Sequence, residues 1–456
     1  MEIAFIVPPI PYRFAKTPYP SLGVGYMAAV LRERCEWISR CELIDGQVLP
    51  PDEYQRRIRS LAVDVVLISA TIRQLKGAKD AAREIRRSNP GMTTVLGGPG
   101  PSSVVDLQSL DRYEVDIIAK GECEDILPIL LDHLRRGEAP TAVPNLLIRH
   151  QGSPMMTACS PARPEVTKLP WPDRALFDEQ AYLDRWRQSA GMTSVHIMGS
   201  RGCPFSCGFC DLTVTGRRVR YREADDIVAE MMFLEQRYSP DDIFYFDDLF
   251  TINKKRVLAI CRLIRERGLK TSWSAQGRVD VVDAEMLQAM VDAGCQELNF
   301  GVESGSPRIL EKLAKGTTRE EIIRAFDLCH EVGIQPGAYI IIGVPGETQE
   351  DLDATASLID RIEPGLLEIS FLTPYPNTKM FDETKHLIGS WDYEDWDDLG
   401  GSIYDFQFAV DPVAARDQIL EAFRRKVAGG MKHLQHQFAN DDRVELRIPR
   451  AHMATP

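Results

Sequence analysis

Three thiols fall close together in one stretch of this chain: Cys203-Pro-Phe-Ser-Cys207-Gly-Phe-Cys210. A loop with glycine and proline lets such side chains converge on one metal centre. Thiolates are the usual ligands of iron–sulfur clusters and of structural zinc. Zinc normally takes four protein ligands, and the nearby histidine is His196, seven residues before Cys203. Three thiolates on a cluster of four irons would instead leave one iron open to a small molecule. Three unrelated buried thiols form the bland alternative, and so tight a spacing after a strand argues against it.

Other candidates stand where apolar runs end. Asp247 and Asp248 lie in Phe246-Asp247-Asp248-Leu249-Phe250, Arg278 follows Gly277, and Glu303 and Ser304 lie in Gly301-Val302-Glu303-Ser304-Gly305-Ser306. Gly343 and Val344 belong to Ile341-Ile342-Gly343-Val344-Pro345-Gly346-Glu347, and Leu372 and Tyr375 to Leu372-Thr373-Pro374-Tyr375-Pro376-Asn377-Thr378. Each has an ordinary reading alone. The aspartates cap a helix, Glu303 makes a rim salt bridge, and Gly343 to Gly346 is a turn. The other cysteines are dispersed, and Cys261, Cys295 and Cys329 sit in apolar contexts that read as core. His433 and His436 stand i, i+3 on an expected C-terminal helix, where a solvated face is the stronger reading than a metal pair.

Elements must position these groups. Strands are expected at 195–198, 242–246, 271–275, 297–301, 338–342 and 367–371, with stretches of helical period between them. Six strand–helix units predict a partial (β/α)6 barrel of the TIM type, with chemistry at the carboxyl ends of its strands. The first part of the chain alternates too. Strands at 3–7, 63–69, 93–96 and 115–119 are interleaved with helices at 24–34, 77–88 and one running to Leu134. That predicts an α/β, doubly wound, Rossmann-like parallel sheet covered on both faces, with ligands at its carboxyl edge. Proline-rich stretches at 160–164 and 169–173 mark a connector. The expected organisation is a first domain at 1–155, a linker at 156–190, the barrel at 191–385 and a short, partly helical C-terminal segment at 386–456.

The chain has 456 residues, 44% hydrophobic and 27% charged, which excludes a mainly disordered or coiled-coil protein. Lys and Arg total 54 against 67 Asp and Glu, a net charge of −13, which argues against nucleic acid as a partner. No run of 18 apolar residues occurs, so no membrane span is expected. The start is apolar for only a few residues before Pro8 and Pro9, with no basic leader, and reads as a strand rather than a signal peptide. A cytoplasmic, reducing location is expected, where clustered thiols suggest metal or redox chemistry.

Cys-x-x-x-Cys-x-x-Cys after the first barrel strand resembles the radical S-adenosylmethionine (SAM) family, and the later strand-end motifs agree with it over about 191–385. The Phe-Asp-Asp-x-Phe form at 246–250 resembles the cobalamin-binding subgroup. The resemblance implies that Cys203, Cys207 and Cys210 hold a 4Fe–4S cluster. It implies that Asp247, Asp248, Glu303 and Ser304 take the ammonium, ribose and carboxylate of SAM. Phe209, Arg278, Gly343, Val344, Leu372 and Tyr375 would complete that pocket. The reduced cluster would cleave SAM to a 5′-deoxyadenosyl radical, which abstracts hydrogen from a strong C–H bond.

The first domain resembles the cobalamin-binding domain found before such barrels. The matching stretches are Pro20-Ser21-Leu22-Gly23-Val24-Gly25-Tyr26, Ile68-Ser69-Ala70-Thr71, Leu96-Gly97-Gly98-Pro99-Gly100-Pro101-Ser102 and Lys120-Gly121-Glu122-Cys123-Glu124. The resemblance places Leu22, Gly23, Ser69, Thr71, Gly97, Gly98, Gly121 and Glu122 at the corrin, and Arg73 and Gln74 beneath it. The plain reading of Arg73 and Gln74 is that they cap a helix or meet solvent. The Asp-x-His-x-x-Gly cobalt-ligand motif is missing, so no histidine on cobalt is expected. Gly100 stands where the subgroup often has His. A domain that no longer binds cobalamin is the alternative.

The resemblance thus implies a class B type radical SAM methyltransferase, acting on an unactivated carbon or a phosphinate phosphorus of a small molecule through methylcobalamin. One alternative is a cyclase, ring-rearranging or oxidising enzyme without methyl transfer. Another is a non-catalytic corrinoid or iron–sulfur carrier, which would have no need of an adenosyl pocket. An electron donor such as flavodoxin or ferredoxin is implied as a partner. Trp391, Tyr393, Trp396 and Tyr404 either wall an apolar substrate pocket or pack as surface aromatics, the second being the simpler reading.

Overall fold

The structure is a computed structural model that describes residues 1–10, 18–391, 393, 396, 404, 409–428 and 445–446. Two compact units divide the chain. One is Met1–Tyr182 with Asp211–Gly216, and the other is built mainly on Leu183–Cys210 and Arg217–Ser390. The division falls inside the stretch expected as linker.

The first unit is a seven-stranded sheet. Its strands are β1 (Glu2–Val7), β2 (Arg40–Asp45), β3 (Val65–Ser69), β4 (Thr93–Gly97), β5 (Ile117–Ala119), β6 (Leu146–His150) and β7 (Ser153–Met156), in the order β2-β1-β3-β4-β5-β6-β7. Successive residues of β1, from Ile3 to Val7, are all buried, as a strand covered on both faces requires. Helices Leu22–Arg34, Leu75–Ser88 and Ile126–Arg135 cover it. The strands β2-β1-β3-β4-β5 are parallel as expected, and β6 and β7 extend the sheet as antiparallel strands. They are joined through Gln151 (φ 51°) and Gly152 (φ 83°), a left-handed pair that makes the tight hairpin. The edge strand β2 escaped the sequence reading because its first residues are exposed and its Arg-Cys-Glu start hides the alternation.

The second unit carries β8 (Ser194–Ile197), the short β9 (Ser200–Arg201) and β10 (Arg220–Tyr221), then β11 (Asp242–Tyr245), β12 (Ser272–Gly277), β13 (Cys295–Glu303), β14 (Gln335–Ile342), β15 (Leu366–Phe371) and β16 (Glu445–Leu446). Six parallel strands in the order β15-β14-β13-β12-β11-β8 form the half-barrel, all six at the expected positions, with β16 antiparallel on β15. One face of each strand is apolar: Val195, Ile197, Ile243, Tyr245, Trp273, Ala275, Leu298 and Phe300 join one buried cluster under the helices. Alternation turns Ser194, His196, Phe244, Ser274, Gln276, Glu297, Asn299 and Tyr339 to the other face. Helix boundaries follow local chemistry. Thr318 and Glu321 form a reciprocal capping box before Arg319–Val332, and Gly333 ends that helix at φ 89°. Cys261, Cys295 and Cys329 are core, as expected. No helix among the described residues is long and apolar enough to cross a membrane. The C-terminal helix is described as Pro412–Ala428, and His433 and His436 lie outside the described residues.

Candidate functional site

The cysteine loop begins after the short ribbon strand β9 and is gripped from several strand ends. Asp247, two residues after β11, accepts the Gly199 backbone N–H and the Ser200 hydroxyl, both at 2.6 Å. Asp248 accepts the Gly202 N–H at 2.6 Å, one residue before Cys203. Arg217 donates to the Phe205 carbonyl. Gly208 donates its N–H to the Leu313 carbonyl and accepts from the Met380 N–H, both at 2.8 Å. Beneath Asp247 lies a buried charge network. Arg256 Nη2 donates to the Gly199 carbonyl at 2.7 Å and sits 3.6 Å from Asp247, while Arg222 Nη1 donates to the Met198 carbonyl and to Glu230 at 2.9 and 2.5 Å. Charges this buried persist when they are paired. Arg222, Arg256 and Glu230 carried no motif, so the sequence reading passed over them.

Arg278, 5% exposed, follows β12. Its Nε donates to Asp280 at 2.7 Å, Nη2 to the Lys315 carbonyl at 2.5 Å and Nη1 to Cys207 Sγ at 3.6 Å. Its guanidinium lies 3.9 Å from the centre of the Phe205 ring. Glu303 ends β13 at φ 64°, beside a register shift, and accepts from Lys315 Nζ at 2.7 Å. Lys315 in turn lies 5.9 Å from the centre of the Phe209 ring.

The remaining expected SAM contacts separate into presented and enclosed groups. Cys210 and Asp248 are exposed, while Cys203, Cys207, Phe209 and Tyr375 are half-buried. Ser304 is fully buried, and its hydroxyl is shared with Thr355 and accepts the Ser306 N–H. Ser304 thus braces the turn after β13. Asp247 is 2% exposed, and its carboxylate is engaged by the loop and Arg256. Val344 and Leu372 are enclosed, and the Gly343 N–H donates to Glu347 at 2.8 Å. Burial pushes the Glu347 carboxyl up to about 7, against the opposing pull of the Gly343 and Val344 N–H groups.

The three thiols fit a cluster. Burial raises the Cys203 thiol, and desolvation by surrounding protein atoms pushes Cys210 up to about 12 although part of that residue is exposed, with Cys207, Cys203 and Asp248 adding to the rise. The thiols therefore share one neighbourhood, Cys203 and Cys210 favour the protonated form by themselves, and iron binding is what would deprotonate them. Among the described residues no three His, Cys, Asp or Glu side chains surround a single ion. A four-iron cluster takes one thiolate per iron and does not ask for that convergence. His196 does not complete a zinc site here. It is 1% exposed, with Trp186, Phe244 and Phe246 rings 5.9–6.0 Å away.

In the first unit, the carboxyl-edge loops after β3, β4 and β5 are laced together. Ser102 Oγ donates to the Gly98 carbonyl at 2.7 Å and accepts the Gly121 N–H at 2.9 Å. Gly98 has φ 100°, and a Cβ at Gly100 would lie 2.5 Å from the Thr71 carbonyl oxygen, so the loop closes where a side chain would stand. Ser69, Gly97, Gly121 and Glu122 are partly accessible, Thr71 and Gly23 exposed, and Leu22 buried. Gln74 Oε1 accepts from the Thr71 N–H and hydroxyl, and its Nε2 donates to the Pro8 carbonyl. It caps its own turn. Arg73, on the same turn, is half-buried. Trp396 is fully buried against Tyr393, 4.9 Å between ring centres, as packing rather than as a pocket wall.

Comparison with known proteins agrees with both units. The radical SAM superfamily model matches residues 197–359 and the B12 binding domain model matches residues 14–131. An uncharacterized methyltransferase of Pyrococcus horikoshii is 30% identical over 84% of this chain and 83% of its own. The anaerobic magnesium-protoporphyrin IX monomethyl ester cyclase of Cereibacter sphaeroides is 26% identical over 82% of this chain and 62% of its own. Among solved structures, the radical SAM methyltransferase TsrM of Kitasatospora setae, with tryptophan substrate and a SAM analogue bound, has a TM-score of 0.70 at 18% identity. That match covers 97% of this chain and 85% of TsrM, and it is a likeness of fold.

Proposed function

This chain belongs to the radical SAM superfamily, in the group of cobalamin-dependent methyltransferases with a B12 binding domain, and from that premise we propose that it methylates an unactivated carbon or a phosphorus of a small molecule. One observation carries this reading. Three thiols share a loop held by strand ends, in a chain that also matches the B12 binding domain. When bound, the cluster and SAM supply a radical that takes hydrogen from carbon, and cobalamin supplies the methyl group.

The chain's own residues have separable tasks under this reading. Cys203, Cys207 and Cys210 each give one thiolate. Asp248 and Glu303 face the ammonium and ribose of SAM, and the enclosed Val344 and Leu372 keep water from behind the adenine. Gly97, Gly98 and Gly121 let backbone approach the corrin, with Ser69, Thr71 and Glu122 at the same edge. Electrons reach the cluster from a small donor protein of the flavodoxin or ferredoxin kind.

The test uses the full chain reconstituted with iron, sulfide and cobalamin. It is given reductant, SAM labelled in its methyl group, and a panel of small molecules. The expected result is bound cluster and corrin by spectrum, both S-adenosylhomocysteine and 5′-deoxyadenosine, and label in the product. Deoxyadenosine with no labelled product would sink the methyl-transfer reading. The relatives named as cyclases support a second reading, ring closure without methyl transfer. It predicts an altered substrate free of label.

A further inference from the structure

We propose that Arg278 is a positioning residue that sets the reduction potential of the cluster held by Cys203, Cys207 and Cys210. The inference rests on the proposed function, since it needs a four-iron cluster on those thiols. Its basis is the geometry of one side chain.

The Arg278 guanidinium is fixed on every side. Asp280 holds Nε and the Lys315 carbonyl holds Nη2. The Phe205 ring lies under its flat face at 3.9 Å, and Phe205 itself stands between Cys203 and Cys207 in the cysteine loop. The backbone N–H of Arg278 is held by Thr251 Oγ1 at 3.3 Å. So braced, Nη1 points at Cys207 Sγ at 3.6 Å, within hydrogen-bond reach of sulfur. Surface arginines move. This one is 5% exposed and has no alternative position to relax into.

A guanidinium N–H to a thiolate draws electron density from the sulfur, and its positive charge lies in a poorly solvated place. Both effects favour the cluster state that carries one more electron. Hydrogen bonds to sulfur and local charge are levers that set cluster potentials. Arg278 therefore makes the cluster easier to reduce, and reduction must precede any cleavage of SAM. Asp280 and the Lys315 carbonyl act through Arg278, by holding its orientation. The charged hydrogen bond falls on Cys207, whereas Cys203 meets the Phe205 backbone, so the cluster corners are inequivalent.

The experiment is an EPR-monitored redox titration of the reconstituted full chain, comparing wild type with Arg278→Gln and Arg278→Lys. At a fixed poise, Arg278→Gln should lower the ratio of reduced to oxidised cluster about tenfold, equivalent to ~59 mV for one electron. Arg278→Lys keeps the charge but loses the planar fork, so its shift should be smaller and of the same sign. A measurement without any variant accompanies it. Wild-type protein grown on ¹⁵N-guanidino arginine should show a nitrogen coupling to the reduced cluster in pulsed EPR. Clusters loaded to wild-type iron content with unchanged potentials overturn the inference, and so does absence of the nitrogen coupling in wild type. A wild-type chain that loads no four-iron cluster overturns this inference together with the reading beneath it.

Discussion

Asp248 accepts the backbone N–H of Gly202 at 2.6 Å, so a side chain at the end of the second barrel strand places the residue that precedes Cys203. Its sequence neighbour Asp247 faces the other way, buried at 2%, and holds Gly199 and Ser200. Adjacent residues leaving a strand point to opposite sides. Both side chains therefore hold the loop, but Asp247 is enclosed by it while Asp248 stays exposed, where we propose it meets SAM.

The division predicts unlike variants. Asp247→Ala leaves Arg256 buried without its carboxylate and should cost about 3–5 kcal/mol of stability. Asp248→Ala loses one hydrogen bond at an exposed site, about 1 kcal/mol, yet should weaken SAM binding roughly tenfold, a change of ~1.4 kcal/mol. Denaturant unfolding and SAM titration of the reconstituted protein check the two numbers. Equal destabilisation by both variants would remove the distinction.

Cys207→Ala should abolish deoxyadenosine formation and four-iron absorbance while bound corrin persists. The thiol is one of three donors, and the loop's other holds, at Gly202 and Gly208, do not involve it. Cobalamin lost in parallel with iron would show that the variant had perturbed more than the cluster.

Much of this architecture was legible in the sequence, and the misses have physical causes. The six barrel strands stood out because apolar runs alternate with helical period, and the thiols because their spacing is local. The β6–β7 hairpin was missed because its turn is Gln151-Gly152, which lacks the usual Asn-Gly or Asp-Gly signal, and because β7 contains Pro154. Roles were harder to read than positions. Ser304 and Gln74 lie in the expected places, but their polar atoms turn inward to Thr355 and to Pro8. Side-chain direction at a strand end depends on the neighbouring loop, and a motif does not record it. Arg222 and Arg256 act on the cysteine loop from distant stretches of sequence, joined to it only by the fold.

Gly100 is tightly enclosed in the first unit. A Cβ there would press on the Thr71 carbonyl at 2.5 Å and the Ile72 nitrogen at 2.7 Å, backbone atoms that cannot swing aside. Gly100→Ala should cost about 1–3 kcal/mol through overpacking and push the loop after β3 outward. Cobalamin retained after gel filtration should fall severalfold while iron content stays at wild-type level. Full retention of cobalamin would show that the edge after β3 does not contact it.

Glu347 supplies a pH test. Burial holds its carboxyl up at about 7, so the folded chain keeps a proton that the unfolded chain releases at ordinary carboxylate pH. A raised folded-state pKa gives stability that is complete at pH below the unfolded value and declines as pH climbs from about 4.5 to about 7. Above that the deficit is constant, on the order of 3 kcal/mol before relaxation. Glu347→Gln keeps an oxygen for the Gly343 N–H and carries no charge. Its Tm should exceed wild type at pH 8 and meet it near pH 5. The loop from Gly343 to Glu347 lies beside the expected adenine site, so the variant should also keep its SAM affinity between pH 6 and 8 where wild type loses some. A Glu347→Gln Tm below wild type at pH 8 would mean that the ionised carboxylate has a stabilising partner, and that the buried acid works as a charge rather than as a proton-bearing brace.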